Sequence, residues 1–140
     1  IMAANTIPIF CKQGNFLPER ISAANTASDG SGSLVTLVTA AADGTRVEGV
    51  RFKNSQATAA ASSANLFKIF LSDTSGANFR NVGEVIQAAA TRSATVAGAT
   101  SIYTFDQPII MRSGQILSVC QHVYAGAQDL TDALAFANDY

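Results

Sequence analysis

The chain has 140 residues, a formal net charge of −1 and 14% charged residues, against about 25% in an ordinary soluble domain. That length accommodates one domain whose core needs no disulfide or metal staple. The charge excludes the basic footprint of a nucleic-acid binder, and no apolar run is long enough to span a bilayer as a helix.

A hydrophobic fraction of 48% with so few charges predicts a surface partly covered by other protein. Cys11 and Cys120 form no Cys-x-x-Cys pair, so they read as free thiols rather than as a zinc or redox site. The opening Ile1–Thr6 lacks a basic region followed by an apolar stretch, which predicts an intracellular origin.

In chain order, residues 1–20 read as an extended arm or edge segment, and 21–140 as a single β-sandwich domain. Ile7, Pro8, Ile9 and Phe10 place apolar side chains around a proline that cannot donate to a ladder, which suits an edge or a docking arm. Ile21–Thr26 is a short strand candidate, followed by the flexible loop Ser28–Ser33. That loop has no P-loop lysine and leads into a strand, so phosphate binding is not expected. Leu34–Ala40 and Thr45–Lys53 are rich in β-branched residues and flank Asp43-Gly44, the signature of a β-hairpin. Val47 has the opposite parity to Val50 and Phe52, so a bulge at Gly49 is needed to bring all three to one core. Glu48, Arg51 and Lys53 then face water.

Asn54–Ala64 is small and polar and reads as a loop. Asn65–Ser72 follows as the most apolar strand, with Phe67, Ile69 and Leu71 on one face and Leu66, Lys68 and Phe70 on the other. The outer face of a sandwich is normally polar, so Leu66 and Phe70 are interface candidates, with burial under a loop as the competing explanation. Asp73–Gly76 closes a second hairpin onto Phe79–Ile86. Further strands are predicted at Thr100–Phe105, Ile109–Met111, Gln115–Tyr124 and Leu130–Phe136, with Leu117, Val119 and Val123 inward if Gln121 lies near the rim. The whole is an all-β fold, an antiparallel β-sandwich or jelly roll of about eight strands around Phe52, Phe67, Ile69, Leu71, Val85, Leu117 and Val119.

Chemistry-bearing residues are sparse. His122 is the only histidine and shares strand parity with Cys120, but no third orienting group or oxyanion-hole turn accompanies them. Asp29, Asp43, Asp73, Asp106 and Asp129 sit at turn-like positions, where capping explains them without metal or catalysis. Tyr103, Tyr124 and Phe79 would serve a sugar platform only if the fold gathered them. The residues therefore predict no catalytic group, no cofactor and no metal.

The order of several short motifs resembles a group of short virion proteins of tailed bacteriophages. The likeness is carried by Asn5-Thr6 with Pro8-Ile9-Phe10, Ala24-Asn25-Thr26 with Asp29-Gly30 and Gly32, Val35-Thr36, Ala42-Asp43-Gly44, Arg46-Val47, and Asn138-Asp139-Tyr140. The resemblance implies a non-enzymatic head decoration or cement protein on the capsid exterior. Such a protein assembles in the bacterial host cytoplasm, has the major capsid protein as its partner and is often a homotrimer. A tail or baseplate component is the alternative, and a carbohydrate-binding β-sandwich module is a rival from another class.

Overall fold

The computed structural model describes residues 10–56 and 60–140. They form nine strands: β1 (Gln13–Gly14), β2 (Glu19–Ile21), β3 (Val35–Thr39), β4 (Thr45–Asn54), β5 (Asn65–Leu71), β6 (Arg80–Gln87), β7 (Thr100–Met111), β8 (Ile116–Gln121) and β9 (Thr131–Asp139). Two antiparallel sheets pack as a β-sandwich. One runs β1-β9-β4-β7, with β2 also paired to β9, and the other runs β3-β8-β5-β6. Among the described residues the only helical element is a 3-10 turn at Ala127–Asp129.

Strand β4 is the centre of the five-stranded sheet, hydrogen-bonded to β7 on one side and β9 on the other. Its register shifts between Val47 and Gly49 against both neighbours, which is the bulge that the parity of Val47, Val50 and Phe52 demands. All three are fully buried, Glu48 is exposed, and Arg51 and Lys53 are half-buried on the outer side. Gly49 is required there, because a Cβ would sit 2.5 Å from the Tyr103 carbonyl oxygen.

The expected hairpin between Leu34–Ala40 and Thr45–Lys53 does not form. Strand β3 pairs with β8 in the four-stranded sheet, so the Ala40–Gly44 connection passes from one sheet to the other. Gly44 does take a positive φ of 102°, but a hairpin and a sheet-to-sheet crossing both use such a residue. The choice falls to pairing partners: Val35 opposite Val119 and Val38 opposite Leu117 bring apolar side chains together across β3 and β8. The second predicted hairpin is present as β5 paired with β6. The two runs expected at 100–105 and 109–111 are one strand, β7. At this sheet edge Phe105 to Pro108 lie opposite Glu48 alone, so the missing proline N–H breaks no ladder.

The core lies between the sheets. Phe52 of β4 stacks on Phe67 of β5 with ring centroids 4.5 Å apart and planes 5° from parallel, which joins the two sheets at their middle. Ile69, Leu117 and Val119 are also fully buried, and Leu71 and Val85 pack at the margin. Burial of each large side chain contributes about 1.5–3 kcal/mol. Strand β9 turns Ala133, Ala135 and Ala137 to this core, so Leu134 and Phe136 face outward by strand alternation. Gln121 is fully buried rather than at the rim, where its Oε1 accepts from Asn65 Nδ2 at 3.3 Å. Val123 lies beyond β8 on the outer side, beside Leu66 and His122.

Of the predicted strand at Ile21–Thr26, Ile21 ends β2 and Ala24 makes an isolated parallel bridge to Gln121. After β2, residues 22–33 form a strap across the outer face of the four-stranded sheet. Asn25 N–H donates to Gln121 O at 2.8 Å, and the Lys68 ammonium, fully buried, donates to Asn25 O at 3.0 Å and Ala27 O at 2.7 Å. Phe70 lies on this same face and is fully buried outside the main core cluster. Phe70 therefore belongs to the interior of the chain rather than to an exposed interface.

Candidate functional site

The outer face of the five-stranded sheet has a different character. β4 contributes Arg51 and Lys53, β9 contributes Asp132 and Leu134, and the chain before β2 contributes Pro18. With Arg92 from the 88–99 loop and Asn54-Ser55 at the end of β4, they line a groove of about 300 Å³. The placement follows from the bulge: after Gly49, strand alternation sends Arg51 and Lys53 outward. Cross-strand pairing sets Arg51 opposite Leu134 and Ile102, and Lys53 opposite Asp132 and Thr100.

Three of the nine Lys and Arg residues of the sequence thus converge on one groove. Each has a different degree of restraint. Lys53 Nζ donates to Gly98 O at 3.1 Å and Thr100 Oγ1 at 3.3 Å, and Arg92 Nη1 donates to Gln56 O at 3.0 Å. Arg51 makes no hydrogen bond or ion pair to the described residues. The one carboxylate in the lining, Asp132, is already engaged: Arg20 binds it through Nε at 2.8 Å and Nη2 at 3.3 Å. That fork holds the Asp132 carboxyl below the usual carboxylate range, despite its partial burial. The groove is therefore a cationic surface whose own carboxylate is neutralised from the rim.

Apolar side chains continue from the groove. Ile102 and Ile110 on β7 are each 56% exposed, and Leu134 and Phe136 on β9 are half-buried. Phe16 and Leu17, in the segment between β1 and β2, are exposed at 55% and 61%. Ile102, Ile110, Leu134 and Phe136, with Arg51 and Lys53, make the outer side of the five-stranded sheet a mixed apolar and cationic surface.

The interface residues expected from sequence are distributed differently. Ile7, Pro8 and Ile9 lie outside the described residues, and Phe10 is exposed. Leu66 is half-buried in a shallow depression with Ala64, Ile86, His122 and Val123, and Ile86 beside it is 78% exposed. Phe70 is not at a surface at all.

Cys120 and His122 share the outer side of the four-stranded sheet, but no hydrogen bond between them is among those described. The Cys120 thiol is buried beneath the strap, its Sγ 4.0 Å from Asn25 O, and burial pushes its pKa up, which disfavours the thiolate. His122 Nδ1 has no partner among the described residues. Three of the aspartates act as turn and loop anchors, whereas Asp43, among the described residues, meets only Lys12 Nζ, at 3.3 Å, and Asp106, expected at a turn, lies within β7. Asp73 accepts from Ser75, Ala77 and Asn78, and Asp29 accepts from Ser31. Asp129, fully enclosed, accepts from Ser63 N, Ser63 Oγ and Ala125 N at 2.8–3.0 Å. Tyr103 and Phe105 meet edge to face at 5.2 Å against the core, whereas Phe79 sits beside Gly30 of the strap. Among the described residues no ring-to-ring contact joins Tyr103, Tyr124 and Phe79.

Sequence reasoning placed Arg51 and Lys53 outward but attached no role to them, and it did not single out Arg92 or Leu134. Strand parity was the available signal for the first two. Nothing local brings a residue of the 88–99 loop beside β4. No protein-family model matches this sequence, and no curated protein matches it.

Proposed function

We propose that this chain is a non-enzymatic structural protein of a bacteriophage virion, a decoration or cement protein that bridges neighbouring subunits of the major capsid protein. The observation that carries the reading is the outer side of the five-stranded sheet, where Ile102, Ile110, Leu134 and Phe136 accompany Arg51 and Lys53 on a β-sandwich of only 14% charged residues. Such a surface suits burial against protein. Homotrimers on the capsid exterior would multiply modest contacts across a lattice, and the sum would raise the barrier to shell rupture. The ordered likeness to phage virion proteins supports the same role.

The test is the copy number of the chain relative to the major capsid protein in purified particles. A ratio near one supports the decoration role. A small fraction moves the chain to the tail or baseplate, and absence from particles removes the virion role. Deleting the residues before Lys12 is expected to weaken attachment while the domain stays folded, measured by particle co-sedimentation and thermal melting; unchanged attachment would exclude the arm.

A further inference from the structure

The groove on the five-stranded sheet has an excess of positive charge that nothing described in the chain answers. Asp132 is held by Arg20, and the residues outside the description, 1–9 and 57–59, contain no Asp or Glu. A partner that brings carboxylates would complement it. The lining narrows its class. No aromatic ring lines the groove, so it offers no stacking surface for a nucleobase or a sugar. The chain as a whole is slightly negative, which disfavours a polyanion such as nucleic acid. Pro18, Ala133 and Leu134 give the groove an apolar side, and Ile102 extends it across Arg51. An extended segment that carries carboxylate and apolar side chains at i and i+2, and so on one face, matches both features.

We propose that this groove is a docking site for an acidic segment of a partner protein, with Glu or Asp carboxylates received by Arg51 and Arg92. Arg51 supplies an unengaged guanidinium fork. Arg92 is oriented by its bond to the Gln56 carbonyl and retains further donors. Lys53, tethered to Gly98 and Thr100, contributes field rather than a directed contact. The proposal builds on the reading of this sheet face as a docking surface, but it specifies chemistry that can be measured without a particle.

The experiment uses the isotope-labelled full chain and two capped hexapeptides, Ser-Glu-Ser-Val-Ser-Glu and Ser-Gln-Ser-Val-Ser-Gln, whose Glu or Gln and Val side chains share one face of an extended strand. The Glu peptide is expected to shift the amide signals of Ser55, Asp132 and Leu134 and the Nε–H signals of Arg51 and Arg92, with affinity falling as salt rises. The Gln peptide and an R51Q/R92Q variant are each expected to weaken binding about tenfold, with the variant's melting temperature unchanged. An R51E/R92E variant should instead accept the same peptide with Lys in place of Glu. Equal binding of the Glu and Gln peptides, shifts on another face, or full binding by R51Q/R92Q would overturn the proposal. So would tighter binding of inorganic phosphate or a thymidine oligonucleotide at the same signals. A chain abundant in particles that ignores the Glu peptide keeps the decoration role and loses the groove; Glu binding by a chain absent from particles does the reverse.

Discussion

The two outer faces of this sandwich use the same kind of side chain in opposite ways. On the four-stranded sheet Lys68 is fully buried and donates to Asn25 and Ala27, so its charge ties the strap to the sheet and Phe70 is sealed on the same face. On the five-stranded sheet Arg51 stays half-exposed without a described partner, next to exposed Ile102. A buried ammonium with carbonyl acceptors is a structural fastener, because breaking its contacts would leave polar groups without water. A half-exposed guanidinium costs little to leave free and remains open to another molecule. Exposure, rather than residue type, separates the face that holds the fold from the face open to a partner.

Four substitutions or conditions test that separation. The largest effect is expected from Phe70→Asp, which places an unpaired carboxylate at a fully buried position and should cost more than about 4 kcal/mol. Denaturant melting of the isolated chain checks it, and a folded F70D variant with native stability would return Phe70 to the surface. Lys68→Met removes the fastener and leaves the Asn25 and Ala27 carbonyls short of a donor, at an expected cost of about 2–4 kcal/mol. Amide exchange should then accelerate across residues 22–33 before the core exchanges; uniform acceleration would mean that the strap and core open together.

Acid provides a third test. Hydrogen bonds from Ser75 and Asn78 hold Asp73 well below the usual carboxylate range, and the Arg20 fork lowers Asp132. A carboxyl whose folded pKa is lowered contributes stability that is present above its unfolded value of about 3.9 and is lost as pH falls through the folded value. Melting temperature should therefore decline below about pH 4, less steeply in Asp73→Asn. The same protonation frees Arg20 and makes the groove more cationic. The smallest effect on stability, within about 0.5 kcal/mol, is expected for Ile102→Asp. Its loss should appear in particle attachment, measured by co-sedimentation, and a matching loss of stability would remove Ile102 from the docking face.

Local sequence was not enough for β1 and β2, but it was for strands β3 to β9, the second hairpin and the bulge at Gly49. Each is a short-range consequence of alternation or turn chemistry, as when Val47, Val50 and Phe52 can share a core only through one extra residue. The same alternation put Arg51 and Lys53 outside. It could not choose between a hairpin and a crossing at Asp43-Gly44, because both begin with the same positive-φ glycine and differ only in a partner strand distant in sequence. It could not assign Phe70, since an apolar outer residue looks alike whether another protein or the chain itself buries it. Nor could it find the groove, whose cations come from β4 and from the 88–99 loop. Period and turn chemistry fixed what each segment is, while the closure of two sheets around Phe52 and Phe67 decided which segments meet, which charges are buried and which face remains open.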